Sequence, residues 1–187
     1  YWLRPVPPVE HGNAKLTIID PDTIEIAVQG GVQMRHGAGN ALAPSGLVTS
    51  EGTMRVTGIE HPHQFDDVSI KMAGPLADTL TLLKEPRLKL FEHVKFDLGT
   101  PGGEMAGRIM VHIPLEKDVS IDQIPIHGIG HVSKGHLSGI VAGRDLDDGA
   151  LDFDATNNGM TLTGTAKLAG IQSTVSAALD FRAGPGS

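Results

Sequence analysis

Apolar and polar residues alternate with a period of two along much of this chain. After Pro21, Ile24, Ile26 and Val28 fall on one side and Glu25 and Ala27 on the other, the signature of a strand with one buried face. Strand-like runs resume at Met54–Thr57 and Val68–Met72. Ile109, Val111 and Ile113 alternate with Arg108, Met110 and His112 before Pro114 closes the run. Ile126–Ser133 reads as a weaker strand with glycines inside it. Leu151 and Phe153 alternate with Asp152 and Asp154. Met160, Leu162, Ala166 and Leu168 then share one side, opposite Thr161, Thr163, Thr165 and Lys167. A last strand carries Val175, Ala177, Leu179 and Phe181. Asp147-Asp148-Gly149, Asn157-Asn158-Gly159 and Ala169-Gly170 read as tight turns, since Asn-Gly and Asp-Gly supply the positive φ that short hairpins require. Gly30–Ser45 shows little periodicity.

One stretch breaks the pattern. Leu76, Leu80 and Leu83 are spaced four and three apart, which marks one face of a helix. Pro75 suits its first position, Asp78 the positive first turn, Lys84 the negative last turn and Pro86 the exit. A second short helical turn is placed at Leu88, Leu90 and Phe91. The expected fold is mainly β: an antiparallel meander forming a curved, groove-like (taco-shaped) or sandwich-like sheet, with one short helix near 75–85. More than eight strands set against a helix about 15 Å long require the sheet to curl on itself or to keep part of its apolar face free. The chain divides into a β-rich N-terminal part, 1–65, and a segment, 66–183, that holds the helix.

Composition narrows the function classes. With 187 residues, 40% of them hydrophobic, the chain can bury a core. Its 24 glycines and 4% aromatics suit short strands joined by tight turns. A net charge of −7 argues against nucleic acid or an anionic membrane surface as partner. The absence of cysteine removes disulfides, thiol catalysis and zinc–thiolate sites. No apolar run approaches the ~20 residues of a membrane span. Tyr1-Trp2-Leu3 and Ala183-Gly184-Pro185-Gly186-Ser187 read as cuts through a longer polypeptide.

Candidate chemistry is sparse. His61 with His63, and His127, His131 and His136, are the tempting ligands among nine histidines. His127 and His131 share a strand face but stand roughly 13 Å apart by strand rise, too far to share one ion without help from elsewhere. Asp145, Asp147 and Asp148 lack the twelve-residue loop and distal glutamate of a calcium hand and read as a solvated hairpin turn. Asp152 and Asp154 read as the wet side of a strand. Gly37-Ala38-Gly39-Asn40 matches no phosphate loop, and no serine sits in a GxSxG elbow. The expectation is a protein that is not an enzyme, with no cofactor and no metal.

A series of motifs in order carries a resemblance. They are Ile70-Lys71-Met72-Ala73-Gly74-Pro75-Leu76-Ala77-Asp78 with Leu80-Thr81-Leu82-Leu83 and Pro86; Ala106-Gly107-Arg108 with Ile113-Pro114-Leu115; Gly143-Arg144-Asp145-Leu146-Asp147-Asp148-Gly149-Ala150-Leu151; and Asn158-Gly159-Met160-Thr161-Leu162-Thr163-Gly164-Thr165-Ala166-Lys167-Leu168-Ala169-Gly170. Together they resemble the AsmA-like family, in its YhdP-type periplasmic branch. The resemblance implies a fragment of a large, inner-membrane-anchored protein projecting into the periplasm of a Gram-negative bacterium. It also implies a long, taco-like sheet whose concave apolar face carries phospholipid acyl chains toward the outer membrane. The implied partners are those chains and neighbouring segments of the same long polypeptide. The expected lining of such a groove is Leu76, Leu80, Leu83, Ile109, Val111, Ile113, Leu151, Phe153, Met160, Leu162, Leu168, Val175 and Leu179. The alternative is a structural or interaction β-domain in envelope assembly that conducts no lipid. Glycines between Ile126 and Gly139 make those strands less regular than a smooth groove wall prefers.

Overall fold

The computed structural model describes residues 7–37, 39, 41–84, 99–116, 119, 123–141 and 143–182. Among them are eleven strands and one helix: β1 (Val9–Glu10), β2 (Asn13–Asp20), β3 (Thr23–Gln29), β4 (Val32–His36), β5 (Leu42–Thr57), β6 (Phe65–Pro75), α1 (Leu76–Leu83), β7 (Gly102–Pro114), β8 (Ile126–Val141), β9 (Arg144–Thr156), β10 (Gly159–Leu168) and β11 (Ile171–Asp180). All the strands belong to one antiparallel sheet that does not close into a barrel. From β5 to β11 each strand pairs with the next. On its other side β5 is long enough to serve two partners: its first half pairs β4 and its second half pairs β3. The sheet therefore forks at that end, with β1 beyond β4 and β2 beyond β3.

Register carries the alternation across the whole sheet. Ile18, Ile24 and Val56 stand side by side, as do Met54 with Val68 and Ile70 with Ile109. The row continues through Val132 opposite Leu151, Phe153 opposite Leu162, and Met160 opposite Leu179. One face is apolar from β2 to β11. The other carries Glu25, Arg55, Asp67, His112, His127, Asp152 and Lys167.

Helix α1 lies on the apolar face, packed against β5, β6 and β7. Pro75 ends β6 and occupies the cap, so the helix begins at Leu76, one residue later than its sequence suggests; Lys84 is the C-cap, its N–H donating to the Leu80 carbonyl at 3.1 Å. Asp78, in the first turn, accepts the Gly46 N–H at 2.7 Å, which ties the helix start to β5. Leu76 meets Leu47, Met72, Met105, Val132 and Leu151 in a single buried cluster. The sheet curls enough for Val175, on β11, to pack against that cluster too.

One local expectation is corrected. Asp147-Asp148-Gly149 is not a hairpin turn: it lies inside β9, where Asp148 adopts φ 49° and the pairing with β10 slips between Thr165 and Lys167. Positive φ serves a bulge as well as a turn. The aperiodic Gly30–Ser45 stretch contains β4 and the start of β5, held by pairing and by Gln33, whose buried amide donates to the Pro7 carbonyl at 2.6 Å. Pro86 and the turn placed at Leu88, Leu90 and Phe91 lie outside the described residues. The strands on either side of residue 65 pair with each other as β5 and β6.

Candidate functional site

The apolar face beneath α1 holds two adjoining cavities, of about 130 Å³ and 110 Å³. Leu76, Leu80, Leu83, Leu151, Phe153, Met160 and Leu162 line the first. Leu83, Ile109, Phe153 and Met160 border the second. Eight of the expected groove residues thus converge. Val175 packs on the same cluster from β11. Val111 and Ile113 occupy the same face farther along β7, Ile113 almost wholly buried, and neither lines these cavities. Leu168 and Leu179 lie on the same face at opposite ends of β10 and β11.

Sequence reading missed several walls: Met72, Met105, Val132, Leu137 and Leu146. Met72 and Met105 were findable, because each extends an alternating apolar series already evident on its strand. The glycines of β7 and β8 also have a role that periodicity did not suggest. Gly107 and Gly130 pair across the strands, and the Phe153 ring lies over both. A Cβ on Gly130 would stand 2.7 Å from the Phe153 ring edge and 2.5 Å from the Ala106 carbonyl oxygen. These glycines make the floor on which the aromatic ring rests.

Asp66 is the anomaly of this face. It sits between Val56 and Ile113, is fully buried, and among the described residues neither carboxyl oxygen has a hydrogen-bond partner. Burial, with a smaller contribution from the Asp67 charge, pushes its pKa up to about 6, as desolvation of a charged form requires.

The opposite face is a lattice of cross-strand charges. Arg55 reaches Glu25 at 2.8 Å, and Arg108 reaches Glu51 at 3.0 Å. Lys71 and then Arg108 hold the Glu51 carboxyl below its ordinary range. Histidines pair with acids throughout: His112 with Asp67 at 2.6 Å, His127 with Asp154 at 2.9 Å and His131 with Asp152 at 2.8 Å. An open trough of about 990 Å³ on this side is bordered by Glu25, Arg55, Asp67, His112, His127 and Asn157.

One pairing has the connectivity of a nucleophilic relay. Ser138 Oγ lies 3.2 Å from His136 Nε2, and His136 Nδ1 lies 2.6 Å from Asp147 Oδ1. A relay catalyses only when an electrophile is held against oxyanion donors in a water-excluding site. The His136 and Asp147 side chains are 38% and 48% exposed, and none of the three residues borders the cavities above. The set is one more rung of the wet face. Among the described residues no group of three or more His, Asp or Glu could hold a metal ion, and no helix is long and apolar enough to cross a membrane. No protein-family model, curated protein or solved structure matches the chain.

Proposed function

We propose that this chain is a non-enzymatic, lipid-shielding segment, whose apolar face takes phospholipid acyl chains while its charged face meets water. One observation carries the reading: the apolar face extends from β2 to β11, interrupted at the buried Asp66, and stays open to water at both edges. Leu16 and Ile18 at one edge are 59% and 70% exposed, and Ile171 at the other is 71% exposed. A soluble surface rarely leaves a broad apolar face open without a partner for it. The cavities under α1 are small against the roughly 300–1,000 Å³ of ordinary ligand sites. They would hold part of an acyl chain, the rest lying along the uncovered strands.

The motif series that resembles AsmA-like proteins supplies the setting for this proposal: a periplasmic part of an inner-membrane-anchored protein moving phospholipid between the two membranes. The modest cavity size favours a second reading, a packed structural or interaction domain of the envelope. Native mass spectrometry of the purified chain, with extraction and identification of bound lipid, separates the two. Phospholipid is expected at near-stoichiometric level, and is expected to be lost in Leu162→Asp and Val111→Asp variants that keep a β circular-dichroism spectrum. A lipid-free protein that also takes up no phospholipid from vesicles would favour the packed domain.

A further inference from the structure

The two cavities under α1 follow one another along the strands. On β8 their border passes from Leu137 and Val132 in the first cavity to Gly128 and Ile126 in the second. On β9 it passes from Leu146 and Leu151, through Phe153, to Ala155. Leu83, Met105, Phe153 and Met160 border both cavities and form the partition between them. Phe153 is held in place by its glycine floor. Met105 and Met160 are unbranched thioethers with three rotatable bonds, side chains that re-pack at little cost. The partition can therefore open by rotamer changes alone.

The walls offer nothing to a polar guest. Among the described residues three polar ones reach the borders, and each is already engaged. The Thr79 hydroxyl donates to the Pro75 carbonyl at 3.3 Å, and Thr156 Oγ1 accepts the Asn158 N–H at 3.3 Å. Arg108 turns its guanidinium to the opposite face, donating to Ser69 Oγ at 2.7 Å and to Glu51 at 3.0 Å. Apolar cavities of this size stay dry and take apolar guests.

We propose that the two cavities are one crevice that takes the methyl end of a single unbranched hydrocarbon chain. Its volume sets a length limit. Cavities of about 130 and 110 Å³ have room together for roughly eight methylenes, at the ~30 Å³ share of one water each. This inference rests on the lipid-shielding reading and names the part of the lipid that the covered strands hold. The rest of that chain, the second chain and the head group stay outside the crevice.

Isothermal titration calorimetry of the intact chain with 1-alkanols from butanol to dodecanol, without vesicles, tests it. Dissociation constants are expected to fall about fourfold per added carbon. They are expected to level off once roughly eight methylenes are inside. Ala155→Leu adds carbons at the far end of the second cavity and is expected to bring that break about three carbons earlier. Ala178→Leu, the same enlargement beside Thr161 on the opposite face, is the control and is expected to leave the break in place. Affinity that rises steadily through dodecanol, or a break that Ala155→Leu does not move, would overturn the crevice. Phospholipid uptake with no alkanol binding would overturn this inference alone. Loss of both would overturn the lipid-shielding reading with it.

Discussion

The β2–β3 wing and the helix-covered strands β7–β10 share one alternating pattern and reach opposite outcomes. Ile18 takes the apolar face of β2 and stays 70% exposed; Leu151 takes the same face of β9 and is 4% exposed. The difference lies in what stands above each strand. α1 sits over β5–β7, and the curl of the sheet brings β8–β10 against its leucines. β2 packs along β3. Alternation fixes the side of the sheet a residue takes; a second layer decides whether that side leaves water. Since the gain scales with area removed from water, equal patterns carry unequal stability.

The largest effect that could break this contrast is at Leu151. Leu151→Ala is expected to cost about 3 kcal/mol in denaturant unfolding, from lost burial and the cavity left behind. A cost no greater than that of an edge substitution would mean the covered region is loosely packed.

Asp66 stands where the two regions meet, and its effect comes next. In the folded chain its carboxyl keeps a proton up to about pH 6, against an ordinary value of 3.8. The folded state therefore binds more protons than the unfolded chain between those values. Its contribution is complete below about 3.8 and is lost as pH rises through about 6. Asp66→Asn is expected to remove that decline, on the order of 2 kcal/mol, in unfolding midpoints followed across the window. A wild-type midpoint that does not fall there would show that water or a cation reaches the carboxylate.

Ile18→Ala is expected to change stability by no more than about 0.5 kcal/mol; a larger loss would reveal a cover over the wing. At Ser138 the expected effect is none. A fluorophosphonate probe should leave it unmodified in the folded protein, because among the described residues the relay has no enclosed site for an electrophile. Labelling abolished by His136→Ala would reassign the charged face as chemically active.

Much of the site could be read from residues alone. Leu76, Leu80 and Leu83 revealed the helix and its inward face, because helical spacing is a local property. Ile109, Leu151, Phe153 and Leu162 revealed the apolar side of their strands for the same reason. Asp66 was also within reach, since it shares parity with Val68 and Ile70, but an acid beside a second acid reads as surface until its strand direction is known. The bulge at Asp148 was not distinguishable from a turn, because both need the same positive φ.

By itself, then, the sequence determined which residues share a face, where the chain turns helical, and that both sides of the sheet differ in polarity. These follow from backbone geometry repeating every two or 3.6 residues. Only the tertiary structure decided how far the sheet curls, which apolar residues α1 covers, that Phe153 rests on Gly107 and Gly130, and that Asp66 is buried with no hydrogen-bond partner among the described residues. Those depend on contacts between segments distant in the chain, and burial belongs to the packed pair rather than to either residue.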